Sequence, residues 1–304
     1  MTWITLTLIA SFFFAIENLF DKRISDKTEN TISALFFMNI VKIPALILLG
    51  VYWFPLFVFD ANILYWSLLV GIISAVTGFL YMQAFQYGDA SSVMPIYELG
   101  PLWAIFFGFI ILGELPHSWQ YLALFLLVCG GLIFSVEKSF IQSFSRKKVL
   151  NIALFIVLLA SLGYNLQYVL TKFVIIRSNL ETAFLLQQIF YIGFSLVFAF
   201  QKSRGAVWRD TRRMSRKFIF GGILAEGVGI WAFVLYTMAF TQGNVSLVNA
   251  LASTQTLFVI FLSWGMSVFV PSFFHEKWSR SDAVQKIIGT IFIVAGVVCI
   301  YFFS

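Results

Sequence analysis

Residues Tyr81–Phe134 read YMQAFQYGDASSVMPIYELGPLWAIFFGFIILGELPHSWQYLALFLLVCGGLIF. One apolar segment ends here and turns at Gly88-Asp89. A second follows, broken by Pro95, Gly100 and Pro101, and leaves at Gly113-Glu114. A third ends in Gly130-Gly131. Successive segments of this kind, parted by short turns, are the pattern of helices that cross a bilayer, each needing about 20 mostly apolar residues. Glu98 stands inside the broken segment. An ionisable side chain at that depth is costly without a partner and marks a functional position.

The rest of the chain is built the same way. Of its 304 residues, 60% are hydrophobic and only 11% charged, against about 25% charged in a soluble domain. So few charges do not coat a water-facing surface, and a polytopic membrane protein is expected. Cys129 and Cys299 each lie in an apolar run, which leaves no disulfide framework or thiol zinc site to build. No Walker lysine motif, nucleophile–base pair or metal-ligand cluster stands out, so no ATP drive by this chain, catalysis, metal or cofactor is expected. The net charge of +6 sits in short loops, where topology control explains it and nucleic-acid binding is not needed. Trp3–Phe20 lacks a basic n-region and a small-residue cleavage site, so it is read as a retained first span.

Ten windows meet or approach the spanning length, at about 2–20, 31–54, 62–87, 91–112, 117–136, 149–172, 181–200, 218–240, 245–270 and 283–303. They also repeat. Tyr81, Ala84, Phe85, Gly88 and Ser91 match Tyr236, Ala239, Phe240, Gly243 and Ser246 at one constant offset. Ala10-Ser11 and Lys22 match Ala160-Ser161 and Lys172, and Gly131-Leu-Ile resembles Gly296-Val-Val. Two five-helix halves are expected, 1–137 and 149–304, joined by a basic loop at 138–148. Because five is odd, the second half enters the membrane from the opposite side, giving an inverted-topology repeat.

On these residues the sequence resembles the drug/metabolite transporter superfamily, specifically its ten-helix EamA-type members. The resemblance is carried by Gly88-Asp-Ala-Ser-Ser-Val-Met-Pro95, Pro101, Leu112-Gly113-Glu114 and Gly130-Gly131. The second half keeps Gly243-Asn-Val-Ser-Leu-Val and Gly296, but has Thr256 where the fourth span has its proline. Its exit glutamate, read as Glu276, is displaced by an insertion near Val270-Pro271. The resemblance implies efflux of amino-acid-like metabolites or drugs. It also implies a central cavity lined by the first, third and fourth helices of each half, which leaves Gln187, Gln188 and Tyr191 on the seventh span as structural residues.

Lysine and arginine concentrate in the odd-numbered connections: Lys22, Arg23 and Lys27; Lys138 and Arg146–Lys148; Lys202 to Lys217; Lys277, Arg280 and Lys286. By the positive-inside rule these loops face the cytoplasm and both termini lie outside. The family expectation is the reverse, with cytoplasmic termini.

Four charged groups lie well within spans: Glu17, Lys42, Glu98 and Glu226. Counted along their helices, each lies on the order of 6–18 Å from the odd-loop face. At least two of them are expected to meet in one cavity, with Lys42 as the internal counter-charge. The competing readings are local: Glu17 reaching back to the interface, Lys42 snorkelling along its stem, and Glu226 bonded among packed glycines. Glu98, between Pro95 and Pro101, is the candidate for proton exchange or substrate contact. Tyr81, Gln83, Tyr97, Asn165, Gln167, Trp231, Tyr236, Asn249 and Ser253 are the candidate cavity lining, with interhelical hydrogen bonding as the alternative for about half.

The function expected is secondary transport of a small organic metabolite or drug-like solute, leaning to a cationic, zwitterionic or amino-acid-like one, across the cytoplasmic membrane by alternating access. Protons are a candidate coupling partner and lipids the surroundings, as monomer or homodimer. An uncoupled facilitator is the alternative, with a non-transporting scaffold behind it.

Overall fold

A computed structural model describes residues 2–27, 31–87, 97, 99–135, 149–269 and 280–303. Pro95, Glu98, the 138–148 loop and Glu276 lie outside the described residues. The described chain is helical: α1 (Trp3–Lys27), α2 (Thr31–Trp53), a 3-10 turn (Phe54–Leu56), α3 (Ala61–Tyr87), α4 (Gly100–Phe107), α5 (Ser118–Ser135), α6 (Val149–Arg177), α7 (Leu180–Arg213), α8 (Arg216–Gln242), α9 (Val245–Ala252), α10 (Thr254–Phe269) and α11 (Arg280–Phe303). Among the described residues, eight helical segments are long and apolar enough to cross a membrane, with α9 and α10 counted as one. Two shorter apolar ones cover Gly100–Leu112 and Ser118–Ile133. The protein is thus an all-α multi-pass membrane protein. Its surface agrees, with side chains such as Leu48, Val51, Phe125 and Phe302 exposed by 61–74%, as suits contact with lipid rather than water.

Helix ends follow local chemistry. The Asn179 side chain accepts the Thr182 amide at 2.8 Å and starts α7, and Ser215 does the same for Phe218 at 3.3 Å in α8. The fourth and ninth spans are both interrupted. Leu99 is a turn before Gly100-Pro101 opens α4, and the ninth span breaks at Ser253 between α9 and α10. The offset that pairs Tyr81 with Tyr236 pairs Leu99 with Thr254, so the described turns at Leu99 and Ser253 differ by one position. In the second half no proline is involved. Ser253 Oγ and Thr254 Oγ1 instead donate to the carbonyls of Ala250 and Leu251, at 2.7 and 2.8 Å, and compete with the helical ladder.

The expected loop after the seventh span is different in the structure. α7 continues as a helix to Arg213, and only Met214 and Ser215 connect it to α8. The extension is amphipathic and anchored: Val207 and Asp210 are buried, and Asp210 accepts a 2.5 Å hydrogen bond from Ser33 in α2.

The helices pack across the two halves. α3 lies on α6 and α7, while α1 and α2 lie on α8; α2 meets α7, α4 meets α9, and α5 meets α11. Exchanging the halves turns each of these pairings into another of the set or into itself. The α5–α11 contact is reciprocal in detail. A Cβ at Gly130 would meet Ile293 and one at Gly296 would meet Leu127, each within 3.0 Å, so both glycines are needed for the backbones to come this close.

Candidate functional site

α1, α2, α3, α6, α7 and α8 enclose a cavity of about 180 Å³. Its aromatic wall is Phe14, Tyr164, Tyr168, Tyr191 and Phe233; its polar groups are Glu17, Lys42, Ser74, Gln167, Gln187 and Gln188; Gly229 and Ile230 close it. Counted along each helix these residues lie about 10–28 Å from a helix end, which puts the cavity near mid-membrane.

Three charged side chains from both halves meet at its edge. The Lys42 ammonium is 3.3 Å from Glu17 Oε1 and 3.0 Å from Glu226 Oε2. Glu226 is 1% exposed, and its Oε1 has no hydrogen-bond partner. Asp21 adds a third carboxylate, with one oxygen from each of Glu17, Asp21 and Glu226 within 4.8 Å of the others. Lys42 therefore bridges the two halves instead of snorkelling, and Glu17 is buried at 7% exposure instead of reaching the interface. Gly229 makes room for this. Its Cα faces the Glu17 carboxylate so closely that a Cβ there would overlap it. Three acids against one ammonium leave the cluster short of positive charge, which suits a cationic group or a proton more than an anion. Across the cavity Gln167 is 4% exposed, and its Oε1 is an acceptor without a partner.

The remaining residues singled out in the sequence fall elsewhere. Tyr97 and Tyr81 form a second layer, with ring centroids 5.8 and 6.2 Å from that of Tyr164. Asn165, Asn249 and Tyr236 bond to one another and do not line this cavity. Asn249 donates to the Asn165 side chain, Asn165 to the Ser161 carbonyl at 2.7 Å, and the Tyr236 hydroxyl to Asn249 at 3.2 Å. Ser253 bonds within its own turn, and Gln83 is half-buried away from the lining. Trp231 needs correcting: it is 54% exposed on the outer face of α8, because Glu226, Ile230 and Phe233 take the inner one. Gln187, Gln188 and Tyr191 need the opposite correction. α7 packs against both α2 and α3, and this turns all three into the cavity. Gln187 also accepts a 2.8 Å hydrogen bond from Thr171.

Asp21, Tyr164 and Phe14 were not singled out. Tyr164 has a sequence signal, three residues before Gln167 and so on the same face of α6, and Asp21 stands one turn after Glu17. Phe14 has none among so many phenylalanines. A second cleft of about 330 Å³ lies at the ends of α3 and α6, beside Asp60, Trp66, Phe173 and Arg177. Asp60 is engaged there in capping α3, accepting the Asn62 and Ile63 amides at 2.7 and 3.1 Å, and the Arg177 guanidinium lies 3.4 Å from the Phe173 ring centroid.

Residues 1–136 match the sequence model of the EamA-like transporter family. No curated protein matches the chain. Solved structures do, among them one titled "Crystal structure of protein", which is 16% identical with a TM-score of 0.67 over 99% of this chain and 97% of that one. The likeness shows that the whole chain shares one known fold. The family resemblance carried by Gly88–Pro95, Pro101 and Leu112–Glu114 thus holds over the matched residues.

Proposed function

We propose that the protein is a secondary transporter that moves a small organic solute through the bilayer by alternating access, its two halves acting as inverted repeats over 1–137 and 149–304. One observation carries the proposal: a mid-membrane cavity walled by both halves, with Glu17, Lys42 and Glu226 joining them at its edge. A midplane site at a repeat interface is what alternating access needs, since rocking one half against the other exposes it to each side in turn. The matched family is one of transporters, which supports transport over catalysis.

The cavity favours a small metabolite. At about 180 Å³ it is below the roughly 300–1,000 Å³ of a pocket for a drug-sized ligand. The excess of carboxylates in the cluster at its edge and its tyrosine faces favour a cationic or zwitterionic, amino-acid-like solute. Glu17 and Glu226 are the carboxylates placed to exchange a proton against it. Glu98 keeps a candidate coupling role through its neighbour Tyr97, whose ring meets Tyr164. The odd-numbered loops are assigned to the cytoplasm by their charge, and a reporter fused to Ser304 that is active only in the cytoplasm would overturn that assignment.

The test is a thermal-shift screen of small amines, amino acids and their analogues on the purified protein, followed by flux of each hit into liposomes. A hit that is carried, and whose counterflow responds to a pH gradient, supports coupled transport. Failure of every solute to shift stability or to move defeats the transporter reading. A second reading, an uncoupled facilitator, draws on Lys42, which already pairs with two of the carboxylates. Counterflow indifferent to pH favours it.

A further inference from the structure

We infer that Glu114, Lys172 and the Gly243–Val245 turn form a latch that holds the even-loop end of this pathway shut, and that each transport cycle opens it. The inference rests on the transporter reading above and concerns the even-loop end of the bundle, away from the Lys42 cluster.

The fourth span ends in a π turn at Gly108–Leu112, closed by Gly113 at φ +69°, a left-handed cap that glycine adopts without strain. The cap turns the chain so that Glu114, from the first half, faces the second. There it pairs with Lys172 of α6 and accepts the Val245 amide at the start of α9 at 3.3 Å. Lys172 also donates to the Gly243 carbonyl at 2.8 Å, and Asn244 donates to the Leu115 carbonyl at 3.3 Å. The α4 exit, α6 and the α8–α9 turn are thereby tied at one point, with the Trp3 ring laid against Gly243.

Beneath the latch is an apolar plug. Tyr168, Tyr236 and Phe240 meet ring to ring, with centroids 4.7–5.8 Å apart, among buried Leu6, Val169 and Val248. Tyr168 belongs to both layers, since it also lines the cavity. Lys172 is four residues further along α6, about 6 Å towards the even-loop face. A solute leaving by that face must pass the plug and then the latch.

The ion pair suits reversible opening. Side-chain exposure is 8% for Lys172 and 20% for Glu114, so water reaches the pair as it parts. In the Lys42–Glu226 pair it is the ammonium that is partly exposed, at 19%, and the carboxylate that is buried, at 1%. A partly wetted pair contributes modestly to stability but biases a two-state equilibrium.

The experiment places a single reporter thiol at Val248→Cys, in the plug, with Cys129→Ala and Cys299→Ala, in nanodiscs, and measures its labelling by a water-soluble maleimide. Lys172→Met and Glu114→Gln should each raise the labelling rate about tenfold, and the charge swap Lys172→Glu with Glu114→Lys should bring back only part of it, since it remakes the ion pair but not the bonds to the Gly243 carbonyl and the Val245 amide. Unchanged labelling in both single variants overturns the latch, whatever solute is moved. A second arm keeps Lys172 and Glu114 intact and forms a disulfide between Leu115→Cys and Asn244→Cys. Flux should stop on oxidation and return on reduction, while solute binding by thermal shift persists. Undiminished flux through the crosslinked protein also overturns the latch. Loss of both binding and flux in the uncrosslinked parent would instead count against the transporter reading.

Discussion

The ammonium of Lys42, on α2 in the first half, lies 3.0 Å from Glu226 Oε2 on α8 in the second. This contact ties the halves together beside the mid-membrane cavity, and Glu226 is almost fully buried there. Removing one member of such a pair strands the other in a dry site, which costs far more than the pair contributes.

Lys42→Met should therefore lower the stability of the purified protein by about 3–5 kcal/mol, read as a fall in melting temperature. Adding Glu226→Gln to Lys42→Met should recover part of the loss, and adding Glu17→Gln more. A double-mutant cycle in which the effects simply add would show that the carboxylates do not depend on Lys42.

Gly229→Ala tests the space that Glu17 occupies. The new methyl would overlap the carboxylate, so Glu17 must move or α8 must shift, at a cost of about 1–3 kcal/mol. Flux should fall together with the melting temperature. Gly229→Ala combined with Glu17→Ala should restore stability but not flux, because the clash is relieved while the charge is lost.

Gln167→Leu separates binding from folding. Its Oε1 is a buried acceptor without a partner, so replacing it with an apolar side chain of similar size should leave stability unchanged or slightly raised. Solute affinity should drop about tenfold if that oxygen receives a donor from the solute. Unchanged affinity measured by thermal shift would remove Gln167 from the binding site.

Trp231→Ala is the contrasting case. The ring faces outward from α8, so flux of the folded protein should match the parent, and stability should change by less than about 1 kcal/mol, as for surface substitutions generally. A selective loss of flux would put Trp231 back into the pathway.

Glu98→Gln compares the coupling candidates. Parent flux with unchanged pH dependence in this variant, set beside altered pH dependence in Glu17→Gln or Glu226→Gln, would assign proton exchange to the Lys42 cluster. The reverse pattern assigns it to Glu98.

Hydropathy alone placed the ten apolar segments, because the need to satisfy every backbone group in lipid leaves a helix as the one way for such a segment to cross. Depth was legible too. A constant rise per residue puts Glu17, Lys42 and Glu226 in one layer of the bilayer before any contact is known. The break of the ninth span at Ser253 was not legible, because no proline marks it and the side chains of Ser253 and Thr254 bond back to their own turn. Direction around the helix axis was not legible. Trp231 faces outward, while Gln187, Gln188 and Tyr191 face the cavity, because α7 wedges against α2 and α3. That rotation is set by close packing between helices distant in sequence. The pairing of Lys172 with Glu114 was hidden for the same reason. Both stand at segment ends, where sequence reads only a boundary, and they meet because the turn at Gly113 and the close approach of α4 to α6 bring them together. Sequence determined where the apolar segments lie and how far along each one its polar groups stand; tertiary packing decided which of those groups share a cavity, because packing alone sets each helix's rotation.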